Sequence, residues 1–139
     1  IFIADYLYAS ADVHEIGKTK ELSNFPDNDY TDIGQLVGHI VIGVEMIGEA
    51  IRTIPDFPEN LANEWKHCIV AHHGELEYGS PKKPALAEAV ALNLADNADA
   101  KMQTLKEIFK DKSGTDWLGY NRLFESNLRK TSLSEESKS

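Results

Sequence analysis

The sequence has little of what would tie it to an oxidising compartment, a membrane or a nucleic-acid backbone. It holds one cysteine, Cys68, in 139 residues. A single thiol cannot close an internal disulfide, and it fits a reducing cytoplasm. No apolar run approaches the roughly 20 residues that a bilayer-spanning helix needs. At the start, Ile1-Phe2-Ile3 is followed at once by Asp5, which does not resemble a signal peptide. Basic residues are scarce: 14 Lys and Arg stand against 23 Asp and Glu, for a formal charge of −9. A protein that grips nucleic acid by itself usually carries a basic patch, because affinity comes largely from neutralising phosphates. Contact with RNA or DNA is therefore expected only in an active-site cleft or through another domain. Binding to an anionic membrane surface is disfavoured for the same reason.

Repeats are also lacking, and so is any convincing hairpin pattern. Hydrophobic residues make up 42% of the chain and charged ones 27%, an ordinary balance for one globular domain. The periodicity is helical throughout. Residues 1 to about 16 are rich in helix formers and end at Gly17, a natural stop. The stretch Ser23-Asn24-Phe25-Pro26-Asp27-Asn28-Asp29 reads as a loop. Thr31 or Asp32 can cap a long helix whose apolar residues Ile33, Leu36, Val37, Ile40, Val41, Val44, Ile47 and Ile51 recur at helical spacing. Pro55 and Pro58 end it. A further helix is expected over 59–73, stopped by Gly74, and another from Pro84 to about Phe109. A short amphipathic helix is expected around 117–128, then a frayed tail over 131–139. The fold class expected is all-α, with about five or six helices in a single domain over 1–130.

Five histidines stand out, four of them beside apolar sequence. His14-Glu15 lies at a helix end, His39 between Val37-Gly38 and Ile40, His72-His73 after Val70-Ala71, and Asp96 after Leu94-Ala95. Each has a plainer explanation when taken singly: a satisfied core histidine, a surface doublet, a solvated carboxylate. Together they are more telling, because burying that many polar groups costs several kcal/mol unless they are paired or metal-bound. Imidazole and carboxylate suit first-row metals such as manganese, iron, cobalt, nickel or zinc. Two ions bridged by one carboxylate can generate a hydroxide and clamp a phosphoryl group. Successive helices of a bundle can carry such ligands into its core. His67 is five residues before His72, about 140° around a helix, and does not share its face.

His14-Glu15-Ile16-Gly17-Lys18 resembles the His-Asp-Ile-Gly-Lys signature of the HD superfamily of metal-dependent phosphohydrolases, with Glu in place of Asp. Gly38-His39-Ile40, His72-His73-Gly74 and Ala95-Asp96-Asn97 follow in the order of its dinuclear branch. Within that branch, His67 to Glu75, Gly79-Ser80-Pro81-Lys82 and Ala95 to Met102 are similar to the YhaM-type 3′–5′ exoribonucleases, as are Trp117, Asn121 and Phe124 near the end. The likeness covers roughly residues 3 to 130. It implies an HD-type helical bundle and a dinuclear divalent-metal site, with manganese the first choice of metal. His14 and Asp96 would hold one ion, His39, His72 and His73 the other, and Glu15 would bridge them. Lys18 would be the phosphate contact, and Lys82 or Lys83 would neutralise a substrate phosphate from the loop.

The resemblance also implies a flanking OB-type domain, absent here, that would bring single-stranded RNA or DNA to the site. A homo-oligomer is compatible with it. Two departures qualify it. Glu15 is one methylene longer than the family's Asp, and the histidine that the family supplies from a preceding helix has no counterpart here, so the chain reads as a portion of a longer protein. Three functions stay open. One is a phosphodiesterase trimming RNA from its 3′ end to nucleoside monophosphates. The second is an HD phosphohydrolase acting on a small nucleotide or cyclic dinucleotide. The third is a degenerate HD domain kept for assembly or ligand binding.

Overall fold

The computed structural model describes residues 4–112, 114 and 116–132. Most of the expected tail, 133–139, lies outside them. The described residues form α1 (Ala4–Val13), α2 (Lys18–Glu21), α3 (Asp32–Val37), α4 (His39–Arg52), α5 (Glu59–Ala71), a 3-10 turn (Leu76–Tyr78), α6 (Ala87–Lys110), β1 (Trp117–Asn121) and β2 (Ser126–Arg129). The mainly helical fold expected from the periodicity is borne out. No helix among the described residues is long and apolar enough to cross a membrane. The chain divides into two compact units, Ile1–Ala98 and Asp99–Ser139.

The first unit buries Ile40, Ile42 and Ile47 of α4, Ala62, Cys68, Ile69 and Ala71 of α5, and Ala89 and Leu92 of α6. Cys68, Ala89 and Leu92 pack together, with Tyr6 and Leu7 of α1 against them. The apolar residues recur at three- and four-residue intervals, so each helix turns one stripe inward. The lone thiol is a small core residue here, 1% exposed.

Three expectations about the elements need correction. The long helix proposed to begin at Thr31 is two helices. Thr31 does cap the first, accepting from Gly34 N through its Oγ1 at 3.0 Å. The ladder then breaks at Gly38, whose φ of 79° and ψ of 154° lie in a region essentially reserved for glycine. His39 therefore starts a helix rather than sitting inside one. Gly17 is likewise no helix stop. It keeps right-handed geometry, φ −60° and ψ −27°, and its role is steric. A Cβ there would lie 1.9 Å from the His39 carbonyl oxygen and 2.9 Å from Gly43 N. Only glycine lets the turn after α1 lie flat on the first turn of α4.

The third correction concerns the second unit, where the expected helix over 117–128 is an antiparallel hairpin. Trp117 pairs with Arg129, Tyr120 with Asn127 and Asn121 with Ser126. Gly119 has φ 91°, which a helix does not accommodate. The side chain of Asn121 accepts from Leu123 N at 2.9 Å, turning the chain in the manner of an Asx turn. Twelve residues with mixed apolar spacing cannot separate helix from hairpin by period alone, and the aromatic β-formers Trp117 and Tyr120 tip the balance.

The glycine contacts make a paired stability prediction. Gly17→Ala should lower the unfolding free energy by about 1–3 kcal/mol, because backbone must shift to admit the methyl group. A Cβ at Gly48 in α4 would meet only the flexible ends of Arg52 and Lys66, both at 3.7 Å. Gly48→Ala should therefore raise stability by about 0.5–1 kcal/mol. Denaturant titration of both variants checks this; equal effects would refute the close approach at Gly17.

Candidate metal centre

Two of the histidines occupy helix C-termini, where the last carbonyls have no partner within the helix. Just beyond α1, Nδ1 of His14 lies 2.7 Å from Ala11 O. Just beyond α5, Nδ1 of His72 lies 2.6 Å from Ile69 O. His73 places its Nδ1 2.9 Å from Tyr78 O in the 3-10 turn. A carbonyl can only accept, so in each ring Nδ1 carries the proton and Nε2 is left with a lone pair. His39 achieves the same by another route. One carboxylate oxygen of Glu21 accepts from His39 N at 3.0 Å and lies 3.2 Å from His39 Nδ1.

The four rings gather in one region. Ring centroids are 4.2 Å apart for His72 and His73, 5.1 Å for His14 and His72, 5.2 Å for His39 and His73, and 5.5 Å for His39 and His72. Donor atoms fall into two groups, Glu15 with His39, His72 and His73, and Glu15 with His14 and Asp96. Within each group the atoms lie within 4.8 Å of one another, and Glu15 belongs to both. His72 Nε2 is 3.7 Å from Glu15 Oε1, His39 Nε2 is 3.9 Å from Glu15 Oε2, and His14 Nε2 is 3.6 Å from Asp96 Oδ1. These gaps are too long for hydrogen bonds and about right for atoms sharing a cation between them.

Three of these atoms, Glu15 Oε2, His39 Nε2 and His72 Nε2, are buried without a hydrogen-bond partner. His72 is 0% exposed. Lone pairs of imidazole facing a carboxylate repel unless a cation lies between them, so the donor set fits a divalent metal on its own chemistry. Burial by itself would push the Glu15 carboxyl up. The Lys18 ammonium at 2.9 Å opposes it and helps to hold the group below its ordinary value, so Glu15 is a carboxylate across the neutral range. Burial and then the neighbouring His72 lower the His73 pKa, which keeps its lone pair available.

The remaining candidates lie as follows. Lys18 is ion-paired to Glu15 at the edge of the cluster. Lys83 is exposed and bonds Glu75 at 2.6 Å, and Lys82 is exposed beside it. His67, left out of the site on helical phase, is engaged elsewhere, its Nε2 accepting from Ala85 N at 2.9 Å.

Two supporting residues escaped the sequence reading. Glu21, 7% exposed, lies in the charged run Lys18-Thr19-Lys20-Glu21, which reads as a solvated face; no local signal marks it. Asn93 donates through Nδ2 to His72 O at 2.8 Å. It had a signal, since it stands three residues before Asp96 inside an apolar stretch of α6, on the same helical face.

A helical domain carrying a two-part histidine and carboxylate donor set thus defines the class of the molecule. Its relatives are more particular. The chain is 44% identical over 101 residues to a protein of Halalkalibacterium halodurans named 3′-5′ exoribonuclease YhaM, covering 73% of this chain and 31% of that one. Proteins of the same name from Bacillus velezensis (44% over 98 residues, 70% of this chain and 31% of the relative) and Bacillus subtilis strain 168 (43% over 102 residues, 73% and 32%) match similarly. Over this stretch the chain is a homologue of the YhaM-type exoribonucleases, as its motifs indicated. It spans about a third of the length of the curated relatives it matches. No family model matches the chain, and no solved structure does.

The carboxylate of Glu21 makes a test of the donor set that needs no activity. Glu21→Ala should release the His39 ring, seen in the metal-free protein as nitrogen shifts of mixed tautomers, and weaken manganese binding about 10- to 100-fold. Glu21→Gln retains an accepting oxygen and should keep most of both. Unchanged His39 shifts in the alanine variant would show that Glu21 does not set the tautomer.

Proposed function

We propose that the chain is an HD-superfamily phosphohydrolase domain whose substrate is single-stranded RNA, trimmed from the 3′ end to nucleoside monophosphates. The reading is carried by Glu15, which belongs to both donor groups while its Oε2 and the facing Nε2 atoms of His39 and His72 stay buried and unpartnered. The name that the relatives carry supplies the reaction and the substrate class.

In this reading His14, Glu15 and Asp96 hold one ion, and Glu15, His39, His72 and His73 hold the other. Bound there, a pair of divalent ions would activate water and neutralise phosphoryl oxygens. The protein's own share is positional. The bonds at Nδ1 fix the four rings, so little reorganisation is needed when a phosphodiester arrives. Lys18, already against Glu15, supplies a positive charge to a phosphate oxygen at the mouth, and Lys82 and Lys83 would add charge farther along the loop. A net charge of −9 leaves general affinity for a polyanion to another domain of the OB type, bringing RNA or single-stranded DNA. Manganese is the metal proposed; iron, cobalt, nickel and zinc suit the same donors.

The two groups are unequal, with four residues in one and three in the other. Titrating the metal-free protein with manganese should fill one site tightly and a second much more weakly. Two equal, tight sites would mean that an unassigned residue completes the His14 group, and no uptake would favour a domain kept for assembly. The activity is tested by digesting a 3′-labelled single-stranded RNA with the intact protein in manganese. Glu15→Gln should remove turnover by at least about a hundredfold, as expected when the geometry of both ions is lost. Cleavage of a cyclic dinucleotide with RNA left whole would move the substrate to the small-nucleotide class.

A further inference from the structure

Beside the cluster lies a cleft of about 230 Å³, lined by Val37, His39, Ile40, Val41, His73 and Tyr78 together with glycine backbone. Its chemistry differs from that of two other surface clefts. One of these is lined by Glu45 and Glu49 with Arg52 and Lys66; the other sets Tyr6, Leu61, Trp65 and Leu86 beside Asp5, Glu64 and Glu88. Among the described residues no carboxylate lines the cleft at the cluster, in a chain with 23 acidic residues. His39 and His73 form its wall on one side and belong to the four-residue donor group on the other. Three apolar side chains of its lining face open space, Tyr78 at 68% exposed and Val37 and Val41 at 40% and 44%.

We propose that this cleft takes the nucleobase next to the phosphate being hydrolysed, with Tyr78 as its stacking platform and Val37 and Val41 as the opposing floor. The inference rests on the phosphohydrolase reading above and names where the substrate's nucleoside goes. A phosphodiester held at the donor cluster would lay its nucleoside against an adjoining wall, and this wall is apolar and aromatic, with no carboxylate among its described residues. Apart from two imidazoles and one phenol, the lining offers no hydrogen-bonding side chain, so bases are held by their faces rather than read by their edges. Occupancy should therefore be tolerant of base identity.

Tyr78 is also fixed by the cluster itself. Its carbonyl receives the His73 Nδ1–H at 2.9 Å, and its N–H donates to Glu75 O at 3.1 Å. The ring is carried by the same turn that orients a donor histidine. Because that link is through backbone, replacing the side chain leaves it in place.

The experiment compares binding of AMP, CMP and ribose 5-phosphate to the manganese-loaded protein by calorimetry, in the wild type and in Tyr78→Ala and Tyr78→Trp. The wild type should bind both nucleotides about tenfold or more tighter than the sugar phosphate, the range that one base–aromatic stack supplies. Tyr78→Ala should bring the three ligands to within about twofold of one another while manganese binding stays unchanged, and Tyr78→Trp should keep the preference. An undiminished preference in Tyr78→Ala would put the base elsewhere. Equal wild-type affinity for nucleotide and sugar phosphate would remove the base pocket but leave the phosphohydrolase reading standing. Manganese uptake with no binding of any of the three would overturn both.

Discussion

The backbone of Gly17 lies against the His39 carbonyl so closely that a methyl group would sit 1.9 Å from the oxygen, and the donor cluster is a consequence of that approach. It lays the turn carrying His14 and Glu15 across the first residues of α4. Gly43, one turn farther along α4, continues the contact: a Cβ there would lie 3.3 Å from Ile69 of α5 and 3.6 Å from Gly17 N. Three chain segments are thereby brought to the distance at which short side chains from each can share a ligand. Larger residues at these points would separate the helices, and the donor atoms would fall out of reach of one another.

Hydrogen bonds at the far side of each ring do the rest. Helix ends leave carbonyls without partners, and His14 and His72 each bond the carbonyl three residues back, so helix termination and ring orientation are one event. His39, at a helix start, has no such carbonyl. Glu21 replaces it, accepting both from the α4 N-terminus and from the ring. The outcome is four imidazoles with the same protonated nitrogen outward and the same lone pair inward. Their mutual repulsion with Glu15 is tolerated because a cation can relieve it.

The acidic composition and the site are reconciled by location. Among the described residues no carboxylate lines the cleft beside the cluster, while Glu15 at the cluster's centre is common to both donor groups and held ionised by Lys18. The exposed Lys83 is tied to Glu75, an arrangement worth little in stability and readily exchanged for a phosphate.

The sequence by itself determined the helical class, because apolar residues at three- and four-residue intervals in α1, α4, α5 and α6 allow little else. It also marked His14, Glu15, His39, His72, His73 and Asp96, since polar groups embedded in apolar sequence demand partners. It could not distinguish a helix from a hairpin over residues 117–128, where the segment is too short for its period to decide and Gly119 needs a positive φ. It read one helix where Gly38 makes two, because a glycine costs a helix only about 1 kcal/mol and does not announce its dihedrals. Glu21 was invisible for a different reason. Its partner His39 is 18 residues away, and only the loop that returns the chain to Thr31, whose hydroxyl donates to Lys20 O at 2.8 Å, makes them neighbours. Which residues can bind is a matter of side-chain chemistry, written locally. Which nitrogen faces inward, and what holds it there, depends on backbone atoms that meet only when the helices pack.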